Sequence, residues 1–198
     1  MATTLLPFRQ VHENDVVNLF ALDSSSATRG LIVKLDTGNG WKLSDELGTT
    51  TLTSYNNTVS DRYNVKGKIT TCGSGASNVP FGMLMYDVAE TDENGEKLIY
   101  HPRKAHEMQV SVSGQAVPVL TKGIVLLKVD EADLNSVTIN AGTEAYVGAS
   151  GTVQTNPNSA TNMSRIGTFL GPLDKVNSSD TYGKVLVKLD FNGSNDHL

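Results

Sequence analysis

The sequence from Met108 to Phe191 is built of short apolar segments separated by turn residues. Clusters of Gly, Asn, Pro and Ser lie between the segments MQVSVSG, AVPVL, GIVLLKV, SVTI, EAYVGA, RIGTFLG and GKVLVKLDF. Short strands at regular spacing, with turn signals between them, are typical of a β-sandwich or a β-barrel. The only helical candidate is a single turn around Leu134, so the sequence predicts a mainly β fold with a small barrel or sandwich body.

Two segments near opposite ends of the chain have almost the same strand sequence. GLIVKLDTGNG begins at Gly30 and GKVLVKLDFNG begins at Gly183, and both contain Val-Lys-Leu-Asp and close on Asn-Gly. Because the residues after each copy diverge at once, domain duplication is a weak explanation. We expect two equivalent half-buried strands in one closed β body, and whether they are neighbours that bring the chain's ends together is open. Lys34 and Lys188 then mark the solvent side or a subunit contact.

The clearest local turn signal lies in FGMLMYDVAETDENGEKLIYHPR. Apolar stretches at Phe81–Val88 and Lys97–Tyr100 flank Asp92–Gly95, which ends in Asn-Gly. Both residues of an Asn-Gly pair tolerate positive φ, and this favours a tight turn between two strands. The pattern predicts a β-hairpin inserted into the body, with Arg103 and Lys104 at its solvated end.

Motifs of enzyme active sites are missing from the sequence. It contains no Gly-x-Ser-x-Gly elbow, P-loop or His-Glu-x-x-His pattern, so we expect no catalytic residue, no cofactor and no metal. His101 and His106, five residues apart, would lie on opposite faces of one strand and are interpreted as exposed loop residues. Cys72 is the sole cysteine and is interpreted as a small buried or loop thiol. DENGE (92–96) has oxygen ligands at alternate positions, but tight-turn chemistry explains it without calcium.

Charge and hydropathy argue against two classes of partner. The formal net charge is −5 and the 16 basic residues form no run, whereas binding a phosphate backbone requires clustered Lys and Arg. No apolar run approaches the length of a membrane span, and the first twenty residues lack a basic start followed by an apolar stretch. We therefore expect no nucleic acid and no membrane as partners, and synthesis in a cytoplasm.

Residues 1–11 are interpreted as an extended N-terminal arm on a β-rich body, 12–198. The arm has apolar side chains without helical periodicity, and such residues at a terminus must pack on something, either the protein's own core or a neighbouring subunit. Whether the body divides into two lobes, 12–110 and 111–198, is also open. The predicted interface residues are the apolar residues of the arm and the sole tryptophan: Leu5, Leu6, Pro7, Phe8, Val11 and Trp41.

The pattern from Gly114 to Phe191 resembles the small β-barrels of capsid decoration (cement) proteins of tailed bacteriophages. The similarity lies in the strand GIVLL (123–127), the Gly-x-x-Ala-Tyr-Val segment Gly142–Val147, the segment Ile166–Leu170 and the terminal strand Val185–Leu189. The opening PFRQVHENDVVNLFAL…TRGLIVKL also resembles the start of such proteins. The resemblance covers about half of the chain, and its motifs are β-turn patterns without reactive groups.

This resemblance implies a non-enzymatic virion protein that binds the outside of the phage head and clamps adjacent major capsid subunits. It also implies self-association at a symmetry axis, most simply as a homotrimer, with a homodimer second. Residues 46–110 depart from the minimal barrel and are interpreted as an elaboration or a second β lobe. One alternative class is a carbohydrate-binding or adhesion module on a tail or cell surface, using Trp41, Tyr55 and Tyr63. Another is a hydrolase whose two carboxylates are distant in sequence.

Overall fold

The computed structural model describes residues 4–6, 10–36, 68–75, 78–130, 134, 138–155 and 163–191. Within these ranges the chain is mainly β, as predicted, with one short helix, α1 (Pro102–Glu107). The strands are β1 (Thr4–Leu6), β2 (Val16–Val17), β3 (Ile32–Asp36), β4 (Lys68–Thr71), β5 (Gly82–Leu84), β6 (Asp87–Ala89), β7 (Val110–Val112), β8 (Val119–Leu120), β9 (Lys122–Asp130), β10 (Glu144–Val147), β11 (Val153–Gln154), β12 (Arg165–Phe169) and β13 (Tyr182–Asp190).

Two antiparallel sheets make up the body of the protein. One has six strands in the order β1-β9-β13-β12-β10-β11, and the other has five in the order β2-β8-β5-β3-β4. Leu127 and Val187 of the six-stranded sheet pack with Ile32 and Met83 of the five-stranded sheet in one apolar core. The two sheets therefore form a sandwich, and neither closes into a barrel within the described residues.

The five-stranded sheet is also covered on the side that faces away from the six-stranded sheet. Val33 and Leu84 pack there with Phe20 and Leu22 in a second apolar cluster. The Phe20 ring meets the ring of Phe81 edge to face, with centroids 5.6 Å apart. The five-stranded sheet is thus an internal layer, which explains why its strands have apolar residues on both faces.

A small lobe, residues 87–112, lies beside the sandwich. Its strands β6 and β7 pair in parallel, and α1 packs on them around Leu98, Ala105 and Val112. Pro102 lies in the first turn of α1, where the missing N–H costs no intrahelical bond. Six residues are too few to give a helical pattern in the sequence, and this helix was not predicted.

The predicted hairpin is confirmed at its turn, which is flanked by one antiparallel bridge between Thr91 and Lys97. The first predicted stretch forms the short strands β5 and β6. The N–H of Gly95 donates to the carbonyl of Asp92 at 3.1 Å, and Gly95 has a φ of +81°. The predicted second strand is wrong, because Leu98–Tyr100 form a 3-10 turn that leads into α1. Arg103 and Lys104 consequently lie on a helix and not at the end of a hairpin.

The two Val-Lys-Leu-Asp copies lie in different sheets. β3 belongs to the five-stranded sheet and β13 to the six-stranded sheet, so the prediction of equivalent strands in one closed body is wrong, and the two copies are not neighbours in a sheet. Leu35 in the first copy is 49% exposed, whereas Leu189 in the second is fully buried. Lys34 is half-buried and its Nζ donates to Asn78 Oδ1 at 2.7 Å, whereas Lys188 is exposed.

Candidate functional site

The central strands of the six-stranded sheet, β9 and β13, bury one side and expose the other. Their antiparallel register runs without a break from Tyr182 opposite Asp130 to Asp190 opposite Lys122. The odd-numbered residues of both strands point towards the sandwich core, and the even-numbered residues point outward, as the period of a strand requires. We call the outward side of β1, β9, β13 and β12 the outer face.

Four leucines lie side by side across the outer face. Leu6 of β1 is opposite Leu126 of β9, and Leu126 is opposite Leu186 of β13. The N–H of Leu170, the residue after β12, donates to the carbonyl of Leu186 at 2.9 Å and extends the register by one strand. Since neighbouring strands are about 4.8 Å apart, these four residues form a line about 14 Å long. We call them the leucine row.

The leucine row is accessible to solvent. Leu6, Leu126 and Leu186 are half-buried, and Leu170 is 42% exposed. In contrast, Leu5 points inward from the same strand as Leu6 and is only 9% exposed. A one-sided antiparallel sheet normally places polar residues on its solvated face, so contiguous leucines at that position indicate a binding surface.

Lysines border the leucine row on both sides. Lys128 and Lys184 are opposite each other on one side, and Lys188 is opposite Ile124 on the other. All three lysines are exposed. The Nζ of Lys128 lies 5.4 Å from the centroid of the Tyr182 ring, which is within cation–π distance. The centre of the outer face is therefore apolar, and its borders are basic.

The edge of the outer face towards β10 carries an ion pair. Arg165 Nε lies 3.2 Å from Glu144 Oε1, and the hydroxyl of Tyr146 donates to the carboxylate of Glu144. Arg165 also donates from Nη2 to Thr168 Oγ1 at 3.0 Å. These opposite charges offset each other, so the basic character of the face comes from β9 and β13.

The predicted interface residues lie in different places. Leu5 is part of the core of its own chain, Val11 is half-buried against that core, and Leu6 belongs to the leucine row. Three others lie outside the described residues: Pro7, Phe8 and Trp41. The contribution of all six residues to an interface stays a prediction.

Sequence reasoning missed the other members of the leucine row, Leu126, Leu186 and Leu170. A signal was present in GKVLVKL, where the outward position between Lys184 and Lys188 holds a leucine. The same position in GIVLLKV also holds a leucine. Neither segment by itself shows that the two leucines are neighbours, because that depends on the register between strands that are distant in sequence.

A cavity of about 420 Å³ lies between the small lobe and the sandwich. Met85, Ile99 and Pro118 contribute apolar walls, while Asn18 and His106 contribute polar groups. The volume is in the range of small-molecule sites. The residues that line the cavity include no Asp, Glu, Lys or Arg, so the cavity does not specify the charge of a ligand.

The histidines differ from their predicted placement. His101 precedes α1 and His106 lies within it, so the prediction of opposite faces of one strand is wrong. Both are exposed, as predicted. Across the described ranges, no group of three His, Cys, Asp or Glu residues is placed to hold a metal ion.

Asp92 and Cys72 have shifted pKa values that are explained by their structural surroundings. Asp92 accepts the N–H groups of Asn94 and Glu96 and forms an ion pair with Lys104. The bond from Lys104 holds the pKa of Asp92 below its ordinary value. These bonds explain the DENGE carboxylate by turn chemistry. Burial raises the pKa of the Cys72 thiol to about 11, which makes Cys72 a poor nucleophile.

Comparisons with known proteins leave the family of this chain open. No protein-family model matches it, and no curated protein matches it. In the part of the chain that the structure describes, none of the helices has the length and apolar character needed to cross a bilayer.

Proposed function

We propose that this chain is a non-enzymatic structural protein of a phage head, which binds the outside of the shell and clamps adjacent major capsid subunits. The observation that carries the proposal is the leucine row, an apolar surface on a rigid sheet with no reactive group in it. Its strands β9, β12 and β13 come from the segment that resembles decoration proteins. An apolar centre with a polar border is typical of protein contact surfaces.

The size of the outer face favours binding through several copies. Its two central strands, β9 and β13, have nine residues and are about 30 Å long, and the axes of its four strands span about 14 Å. Because β1 and β12 are shorter, the face covers at most roughly 400 Å². A stable pairwise interface buries about 800 Å² on each partner. One face alone would bind weakly, whereas a homotrimer, or a homodimer as second choice, presents several faces and gains avidity.

Such binding stabilises the assembled shell. A protein that binds the assembled lattice but not its free subunits favours the assembled form by mass action. At a hundredfold excess over the Kd, the gain is about 2.7 kcal/mol for each occupied site. Because a shell has many sites, small gains at each one oppose the strain from internal DNA pressure.

The N-terminal arm contributes to the sheet and to the outer face. Leu5 anchors β1 in the core, and Leu6 places one end of the leucine row. We expect deletion of residues 1–11 to leave the body folded and to weaken binding to heads. Leu6→Gln is the sharper variant, because it leaves Leu5 and the strand in place. Unchanged occupancy on purified heads in both variants would remove the arm's role.

A protein inventory of purified virions by mass spectrometry tests the proposed function. We expect the chain to co-purify with intact particles at a fixed ratio to the major shell protein. Its absence from particles would remove the proposal. Binding to a glycan array by a protein absent from particles would favour the carbohydrate-binding alternative, whose residues lie outside the described ranges: Trp41, Tyr55 and Tyr63.

A further inference from the structure

We infer that the outer face docks on an acidic protein surface with an apolar centre, presented by the shell, and not on a second copy of this chain. The inference rests on the proposed function and adds to it the docking surface and the chemistry of the partner. It is carried by the leucine row together with the charges on both sides of the row.

The central strands of the outer face are basic in an acidic protein. Their outward charged residues give a local charge of +2, four lysines against two aspartates, whereas the whole chain has a formal net charge of −5. The rest of the chain therefore carries −7. The residues are Lys122, Lys128, Lys184, Lys188, Asp130 and Asp190, and all four lysines are exposed. Charge segregated in this way directs an acidic partner to this face.

One pair of lysines is not explained by the stability of the isolated sheet. Lys128 and Lys184 are directly opposite each other on β9 and β13. Like charges at opposite positions of neighbouring strands are destabilising. The N–H of Asp174 donates to the carbonyl of Lys184 at 2.8 Å. Within the described residues, no ion pair joins the Asp174 carboxylate to either lysine. A carboxylate of a partner placed over the pair would offset both charges.

The charges of the outer face disfavour its binding to the outer face of a second copy. If two copies stacked leucine row on leucine row about a two-fold axis, a lysine border of one would lie over a lysine border of the other. Both borders carry lysine, with Lys128 and Lys184 on one side and Lys188 on the other, and the outward charges sum to +2 with Asp130 and Asp190 included. Each two-fold arrangement is therefore repulsive in net charge. Self-association therefore uses another surface and leaves the outer faces of the oligomer free for the shell.

Binding to purified heads that lack the protein tests the inference with two variants and two matched controls. Leu186→Gln removes the centre of the leucine row, and Lys188→Glu reverses a border charge. Leu35→Gln and Arg103→Glu make the same kinds of change on exposed residues of β3 and α1. We expect binding to fall about tenfold or more for each outer-face variant, and less than about twofold for each control.

Salt separates the apolar contribution from the charged one. The defect of Lys188→Glu should shrink when NaCl is raised from about 0.05 M to about 0.5 M, because screening weakens exposed charge pairs. The defect of Leu186→Gln should persist over the same range. Thermal unfolding of each variant checks that the fold is intact. If Leu186→Gln does not fold, Leu170→Gln at the more exposed end of the row replaces it.

The outcomes distinguish the inference from the proposed function. If the wild-type protein does not bind heads, the proposed function fails and the inference fails with it. If the wild type binds and the outer-face variants bind as well as the controls, the proposed function stands and the docking surface is wrong. If Leu186→Gln weakens binding and Lys188→Glu does not, the acidic character of the partner is overturned.

Discussion

The two large sheets contain the same tetrapeptide in different surroundings. Val-Lys-Leu-Asp lies in β3 and in β13, yet its leucine is 49% exposed at Leu35 and fully buried at Leu189. In β3, the successive residues Ile32 and Val33 are both fully buried, because packed layers lie on both sides of the five-stranded sheet. In β13, buried residues alternate with outward ones, because only one side is packed. Burial is therefore a property of the layer and not of the tetrapeptide.

The two sheets also differ in whether their apolar residues are covered. The internal five-stranded sheet has its apolar residues covered on one side by the core and on the other by the second apolar cluster, which contains Phe20 and Leu22. The six-stranded sheet has one side free, and the leucine row lies there. The inner side of the six-stranded sheet packs on another layer, so its outer face has a fixed shape. A fixed shape lowers the entropic cost of docking.

Truncating the equivalent leucines, Leu189 and Leu35, should give the largest difference between the two sheets in the loss of unfolding free energy. Leu189→Ala leaves a cavity in the core, and we expect a loss of about 2–5 kcal/mol in the free energy of unfolding. Leu35→Ala, on a half-exposed side chain, should cost less than about 1 kcal/mol. Chemical denaturation of both variants measures the two losses. Equal losses would contradict the assignment of the two copies to different layers.

Substitution of a glycine in the six-stranded sheet should destabilise the protein nearly as much as truncation of Leu189. A Cβ at Gly167 would overlap the carbonyl oxygen of Lys188 in the neighbouring strand. We expect Gly167→Ala to destabilise the protein by about 1–3 kcal/mol, because backbone must move to make room. Gly171→Ala is the control, since nothing lies within 4 Å of a Cβ at that position. Similar melting temperatures for the two variants would show that β12 and β13 are not so close.

The alkaline stability of the protein should depend on a thiol beside β3. The N–H of Cys72 donates to the carbonyl of Ile32 at 2.9 Å, and burial raises the pKa of its thiol from 9.0 to about 11. Above about pH 9 the unfolded thiol loses its proton while the folded thiol keeps it, so the free energy of unfolding should fall between about pH 9 and about pH 11. Cys72→Ala should show a shallower fall in the same range. Parallel pH profiles for the variant and the wild type would contradict the burial of this thiol.

The smallest effect should come from the two equivalent lysines. Lys34→Met removes the donor to Asn78 Oδ1, and we expect a loss of about 1 kcal/mol in the free energy of unfolding. Lys188→Met, at an exposed position, should change it by less than about 0.5 kcal/mol. Denaturant titration measures both. A larger loss at Lys188 would show that this lysine supports the fold, which the inferred docking role does not require.

The fold was predictable for strands that are packed on one side only, because their sequences alternate between buried apolar and outward residues. The segment GKVLVKLDF predicts β13, because Val185, Val187 and Leu189 alternate with outward residues that include Lys184 and Lys188. The sequence did not show that β3, unlike β13, is covered on both sides. That cover comes from tertiary contacts with the second apolar cluster around Phe20, which the sequence of the strand does not reveal. The six-residue helix α1 was missed because it is too short to show a period.

The candidate site was predictable only at one end. An apolar N-terminal arm indicated Leu6, but the arm by itself did not distinguish Leu5, which lies in the core, from Leu6, which faces outward. Leu126 and Leu186 are ordinary strand residues in the sequence. They become parts of a surface only through the register that aligns them with Leu6 and Leu170.

Electron cryomicroscopy of heads that carry the protein locates the sandwich on the shell. Fitting the sandwich into the map shows which sheet contacts the shell. We predict that the outer face lies on the shell, with Leu126 and Leu186 at the contact and carboxylates of the shell near Lys128 and Lys184. A map in which the outer face points to solvent, or lies against another copy of this chain, would contradict it.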